Sequence, residues 1–562
     1  MKRILCTFFA LALVLSMGAV TGPTAAVEGS EFGGYPNIID VPDDYPTIQE
    51  AVDAAVPGTT IVVAAGEYDG FQVLGRQRIS IVSTEGATVT SANVTSINRG
   101  PIEDAWSMAA VKDSQDIVIS GIGFNGAALT EGDVVVGIAY VNSTGRVVNL
   151  TVENTVGAQL GAGVAIIGDE GASRVDLLAV TVKNSMAGVI VWDAEADLDG
   201  CTITGMKPNG GFGVLAAGAG IVIGIPGEQW SGPADVKVRG STVSDNNSVG
   251  IYACDGSVLE ANFNRIVGNT QFGVVNDGAK VVDARDNWWG SAAGPFPPNN
   301  IVSDNVIFEP WTISEVVTQI LTEDGVVDAL KEADTTVHVK LKSPSVSFGY
   351  TADSAEPGDR QIITMVSVAP RTENPAGPGS DPTRFEPLRK YMNVSFSDSD
   401  VVDEVEIRLY YEELDLDIDL SLIELQLMWL DDDKWRQFQP QNRGVVEPSD
   451  EPGYSGYMWA KLTAETTPGL TYLGGSEFGG YAGPREIGGI CGGGPFTVIS
   501  VGLLCALCGY LSLRHRYGKR DRNACGRSVT QRQCLTAEPG DYTDLYRSRY
   551  SGKQSSCPGT SP

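Results

Sequence analysis

The sequence predicts an all-β chain: a parallel β-solenoid over residues 38–310, a β-sandwich over 312–475, then one transmembrane helix at 495–513. Three observations predict it. A Gly followed by a short β-branched run recurs at Gly137, Gly163, Gly188, Gly220, Gly250 and Gly273, at intervals of 26, 25, 32, 30 and 23 residues. From about Thr312 the runs become longer and alternate with period two. The stretch Pro495 to Leu513 carries no charge over 19 residues, enough to cross a hydrocarbon core of about 30 Å as a helix.

Taken in order, Met1-Lys2-Arg3 precedes an apolar run from Ile4 to Met17 and small residues at Thr24, Ala25 and Ala26, the pattern of a secretory signal peptide over 1–26. In the solenoid, strand pieces of three to five residues alternate with Asn-bearing turns at Asn154, Asn184, Asn246-Asn247 and Asn269. Repeats of this length indicate stacked units, none able to bury its apolar face alone. Stacked rungs would pair about 4.8 Å apart, and Asn at equivalent turns could then form a ladder of side-chain amides. The 32-residue interval implies an outward loop at Pro208–Gly213 or Pro226–Pro233. Ile48, Ala51, Val52 and Ala55 share one helical face, which suits a short helix plugging the open end of the rod.

The runs Glu404–Tyr410, Leu414–Leu420 and Ile423–Trp429 predict antiparallel strands of an immunoglobulin-like sandwich. A Gly-rich linker is expected over 476–494, and a disordered basic tail over 514–562. Arg514, Arg516, Lys519, Arg520 and Arg522 follow the apolar stretch directly, so the positive-inside rule keeps that end in the cytoplasm and the solenoid outside. One heptad occurs twice: Gly29-Ser-Glu-Phe-Gly-Gly-Tyr35 returns letter for letter as Gly475 to Tyr481, too long a match for chance.

Composition excludes several classes. The 562 residues hold 39 basic and 70 acidic side chains, a net charge of −31, which argues against nucleic acid as a partner. The 67 glycines keep no three-residue period, so collagen is out, and nine cysteines do not make a disulfide scaffold.

The segment Val41-Pro-Asp-Asp-Tyr45-Pro-Thr-Ile48-Gln-Glu-Ala51-Val-Asp-Ala-Ala55, with Pro57-Gly58-Thr-Thr-Ile61-Val-Val63 and Gly66-Glu-Tyr68, resembles the opening of right-handed parallel β-helix proteins of the pectin-lyase-like superfamily. The likeness is to its carbohydrate-binding and sugar-hydrolase repeat branch. Asn287-Trp288-Trp289-Gly290 with Gly294-Pro295 resembles the terminal motif of archaeal surface β-helices. The resemblance implies a right-handed coil and a carbohydrate-related role.

Sugar-cleaving relatives work with clustered carboxylates or Ca²⁺ and an Arg, Lys or His. No His precedes His338, so a His-assisted Asp cluster is absent from the solenoid; Arg239, Arg265 and Arg285 are available, and no spacing singles one out. Copper delivery, a role attached to some members of the branch, would need His, Cys or Met, and beyond the signal peptide only Cys201 and Cys254 offer thiols before Cys491.

Aligning coils on the Gly-Ile position brings Asn142, Asp169, Asp193, Asp255 and Asp277 to one edge, with Trp192 and Tyr252 pointing outward by alternation. Trp192, Asp193, Tyr252, Asp255 and Asp277 are therefore the candidate carbohydrate contacts: carboxylates for hydroxyls, aromatic faces for sugar rings. Ordinary turn chemistry, in which Asp and Asn simply end strands, is the plainer reading of the carboxylates. Trp288-Trp289 reads as a lid on the last rung. Asp415, Asp417 and Asp419 share a strand face and Asp431-Asp432-Asp433 forms a hairpin tip; Ca²⁺ is the one cofactor these could take, and a solvated acidic face is the plainer reading. Five glycosylation sequons stand at Asn93, Asn142, Asn149, Asn246 and Asn393. The pattern favours a non-catalytic surface protein, structural, adhesin-like or polysaccharide-binding. The alternatives are a polysaccharide lyase or glycoside hydrolase, and a copper carrier.

Overall fold

The computed structural model describes residues 37–484, apart from 84–85, 93, 100–101, 130–133, 169–172, 209–217, 226–231, 255, 298–300, 322, 343–363, 372, 378, 383–384, 398 and 413–422. The signal peptide, the first copy of the heptad at 29–35, the apolar stretch at 495–513, the tail, Asn93, Asp169, Asp255 and the run 414–420 therefore lie outside the described residues, as does most of both loop segments. Among the described residues no helix is long and apolar enough to cross a membrane.

From Ile38 the chain winds into stacked coils, whose strands pair in parallel with their equivalents in the next coil. One side is sheet B, running through Phe71–Leu74, Ile102–Lys112, Val134–Val141, Leu160–Ile167, Ala187–Trp192, Ile221–Ile223, Val249–Ala253 and Phe272–Asn276. Sheet A forms the remaining sides, and its long strands Thr144–Glu153 and Ser173–Lys183 turn a corner in mid-strand. This is a parallel β-helix. One interruption is antiparallel: Val94–Arg99 folds back on Ile102–Lys112 at the edge of sheet B.

The glycine repeat has a steric cause. A Cβ on Gly137 would lie 2.5 Å from the carbonyl oxygen of Gly163, one on Gly188 would lie 2.3 Å from that of Gly220, and one on Gly250 would lie 2.5 Å from that of Gly273. Each coil leans on the next at this column, and only hydrogen fits. The corner of sheet A forms a second column: Gly121, Asn149, Ala179, Gly200, Gly240, Phe263 and Asp286 all have φ between 48° and 69°, the left-handed turn that re-aims the strand.

The amide ladder forms as expected. The Asn246 side chain donates to Oδ1 of Asn269 at 2.9 Å, and Oδ1 of Asn287 accepts from the Asn264 backbone at 2.8 Å. Serines do the same work elsewhere, Ser114 to Ser143 to Ser173. The ladders satisfy backbone groups that the corners take out of the strand pairing, inside the rod where water cannot.

Both ends are closed. The helix Ile48–Ala54, capped by Thr47 Oγ1 accepting from the Glu50 amide, buries Ile48, Ala51 and Val52 over the first coil. At the far end Trp289 is fully buried in the rod's core, with Phe296, Phe308 and Trp311 packed edge to face beyond it. The lid expected of Trp288-Trp289 is thus made by Trp289; Trp288 is half-buried, its backbone bridging to Arg265.

The sandwich packs two antiparallel sheets over one core. Sheet C runs in the order Val317–Leu321, Thr364–Arg371, Glu386–Phe396, Gly474–Pro484, Ile423–Asp431, Lys434–Gln437. Sheet D holds Gly325–Ala329, Thr335–Leu341, Val402–Tyr411, Gly456–Thr463 and Arg443–Val446. Two strands match expectation closely, at 402–411 and 423–431. The hairpin expected at Asp431-Asp432-Asp433 forms with a two-residue loop, Asp432 and Asp433 at φ 45° and 59°, where Asp is chosen for its tolerance of positive φ. The structure corrects one boundary: the sandwich does not end at 475. Gly474–Pro484 lies in the middle of sheet C, and the glycines that read as linker are demanded by neighbours, since a Cβ on Gly479 would fall 2.7 Å from the Tyr391 ring.

Candidate functional site

Trp192 and Tyr252 do point away from the coil interior, as alternation required. They are not exposed. At 3% and 4% accessibility they belong to an apolar layer on the outer surface of sheet B. One row of that layer reads Ala139, Ala165, Ile190, Val222, Tyr252, Val275, one residue per coil. The backbone at Gly232 lies against the Trp192 indole, close enough that a Cβ there would sit 2.2 Å from Nε1. Tyr252 donates its hydroxyl to Asp277 at 2.7 Å, so that carboxylate serves an internal hydrogen bond. Asp193 and Asn142 have φ of 55° and 48° and are turn residues. The expected exposed aromatic face is corrected on this point: outward from the coil is not outward to water, because other chain segments cover sheet B.

The outer face of sheet A is different. Here one row of ionic side chains climbs the rod, one per coil: Arg146, Asp176, Asp197, Lys237, Glu260, Asp283. At about 4.8 Å per coil the row is roughly 24 Å long. Flanking rows add Arg174, 3.0 Å from Glu195 and 3.6 Å from Asp197, and Arg239, whose Nε donates to Asp199 at 2.9 Å. Alternation in Glu195-Ala-Asp197-Leu-Asp199 and Asp235-Val-Lys237-Val-Arg239 puts every charge on the outside. Asp199 lies beside the corner where the sandwich docks, Ile320 and Met365 meeting Gly200. Burial there pushes its carboxyl up to about 6 despite Arg239, and Asp197 and Asp176 add to the rise.

Of the three arginines that sequence left unranked, Arg239 is thus held by Asp199, Arg265 pairs with Glu315 of the segment leading to the sandwich, and Arg285 grips Asp283. The sequence reading missed Asp197, Asp199 and Arg174; their period-two charge pattern was the available signal. Among the described residues no group of three His, Cys, Asp or Glu is placed to hold a metal ion. Neither Cys201 nor Cys254 is in a disulfide, and they do not share a site. Cys201 sits in the rod's interior, where burial pushes its thiol up to about 12, and Cys254 sits in the outer layer of sheet B.

The sequons divide by geometry. Asn149 is exposed at its corner and Asn142 is half-buried. Asn246 and Asn393 are buried, the first in the amide ladder and the second donating to Glu477, so neither amide can take a glycan in the folded chain.

The rod, its ladders and its ionic face define a parallel β-helix protein carrying a β-sandwich. No family model matches the chain, and no curated protein matches it. Solved structures similar to it include a pectin methylesterase from Erwinia chrysanthemi (11% identity, 50% of this chain and 99% of that one, TM-score 0.30). A pectate lyase is similar at 11% identity over 54% of this chain and 84% of that one, TM-score 0.31. The A-module of a mannuronan C-5 epimerase from Azotobacter vinelandii is similar at 15% identity over 50% and 86%, TM-score 0.27. At these values the likeness carries no argument about activity.

Proposed function

We propose that this chain is a non-catalytic surface protein, anchored by residues 495–513 with its β-helix and immunoglobulin-like sandwich outside the membrane, and that the outer face of sheet A binds an extended polysaccharide. The observation that supports it is the straight ionic row from Arg146 to Asp283, a rigid grid of hydrogen-bonding groups repeated at every coil. A polymer lying along the rod meets an ionic group of one sign or the other at every coil, and the rod spends no entropy in presenting them. The pairing of Arg239 with Asp199 and of Arg174 with Glu195 makes these side chains struts of that grid.

A second reading, cleavage of an acidic glycan, rests on Asp199. A carboxyl held near 6 with Asp197 and Asp176 close by is a candidate proton donor. A glycan array and a reducing-end release assay on the full chain separate the two. Binding without release, weakened at least tenfold in R174A/E195A, supports the first. Release that is lost in D199N supports the second. No binding to any glycan at micromolar protein overturns both.

A further inference from the structure

The duplicated heptad points to an intermolecular use. In its second copy the five residues Glu477 to Tyr481 each meet a specific demand of the sandwich. Glu477 takes both Arg371, at 2.6 Å, and the amide of Asn393, at 3.1 Å. Phe478 is buried in the core and stacks on Phe438 with rings 6.3 Å apart. Gly479 and Gly480 leave room for Tyr391 and Leu409, which a Cβ would approach within 2.7 and 2.8 Å. Tyr481 packs on Trp435 at 5.3 Å and donates its hydroxyl to Asp381 at 3.0 Å. Gly475 has φ 121°. Residues 29–35 carry the same seven side chains in the same order. Pro36 follows them where Ala482 follows the second copy, and a proline has no N–H to donate to a neighbouring strand.

The first copy cannot reach the sandwich of its own chain. Arg371 is bound to Asp286, in the coil of Val282–Asp283. That coil stands nine steps along the rod from Ile38–Val41. Nine steps at about 4.8 Å make roughly 43 Å. From Ile38 back to Glu31 is seven residues, at most about 25 Å of extended chain.

We propose that residues 29–35 act as a donor strand for the sandwich of a second copy of this chain, taking the place of 475–481 between Glu386–Phe396 and Ile423–Asp431. The contact joins the start of one rod to the sandwich at the end of the next, so it is heterologous and open-ended. A strand tethered in its own sheet enjoys a high effective concentration, so exchange is a reaction of crowded chains.

The test is fluorescence anisotropy with a labelled peptide of residues 28–37, titrated with the full chain. Two full-chain variants weaken the resident strand: F478A removes its core anchor, and E477Q, which preserves size and shape, removes its ion pair. The peptide is expected to bind E477Q at least tenfold more tightly than the unaltered chain, F478A more tightly still, and a peptide carrying F32A at least tenfold more weakly than the native peptide. If F478A does not fold, E477Q decides. Absence of saturable binding to the folded variants, or equal binding of the F32A peptide, overturns the proposal.

Discussion

Replacing Arg371 by Met should loosen the junction between rod and sandwich in a pH-dependent way. Arg371, 8% exposed, lies between Asp286 of the rod's corner column and Glu477 of sheet C, at 2.5 and 2.6 Å. Burial raises both carboxyl pKa values, and Arg371 is the cation that pulls them back. With Met in its place two buried carboxylates face each other, left with Arg285 near Asp286 and the Asn393 amide on Glu477. Breaking a buried pair by deleting one partner costs about 3–5 kcal/mol. The sign with pH follows from the direction of the shift. Both carboxyls bind protons more readily folded than unfolded, and more so without Arg371, so the loss is complete well above their raised pKa values and shrinks as pH falls toward the ordinary carboxylate range. Denaturant unfolding of R371M at pH 7.5 and pH 5, followed by tryptophan fluorescence, measures it. A loss under 1 kcal/mol at pH 7.5, or one that does not shrink at pH 5, would refute the reasoning; R371M/D286N/E477Q should recover most of the stability.

Three further outcomes are expected. Asn264→Ala strands the Val238 carbonyl and the Ser241 amide, both now satisfied at 2.8 Å, and should cost about 1–3 kcal/mol for each group in chemical denaturation. Ala179→Gly removes a left-handed strain that only Gly carries freely, and should raise stability by about 0.5–1 kcal/mol at an unchanged circular dichroism spectrum. Asp199, lifted from 3.8 to about 6, holds its proton better folded than unfolded, so its contribution falls as pH rises from about 4 to 6, by about 3 kcal/mol in all; D199N should flatten that part of the stability–pH curve.

What could be read from the sequence was whatever recurs once per coil for a local reason. The glycine column is legible because a carbonyl of the next coil stands where a Cβ would go, so each coil must supply its own Gly. The Asn turns are legible because an amide both tolerates the turn and bonds its equivalent. The ion pairs were not legible, since Asp199 and Arg239 stand forty residues apart while Arg174 and Glu195 stand twenty-one apart. Coils of unequal length scatter the partners, and only the register restores them.

Trp192 and Gly479 show the same limit from opposite directions. Alternation gives the side of a sheet on which a residue stands, and Trp192 does stand outside the coil; whether water reaches it depends on chain near Gly232, forty residues later. Composition gives the backbone freedom of Gly479-Gly480, and freedom reads as linker; yet these glycines are absent of side chains because Tyr391 and Leu409 fill the space. In both cases a local rule is obeyed and the environment reverses its usual meaning. The heptad makes that reversal useful: a segment that looks like a hinge is among the most closely specified strands of the sandwich, and the proposed exchange would give its first copy a sheet as well.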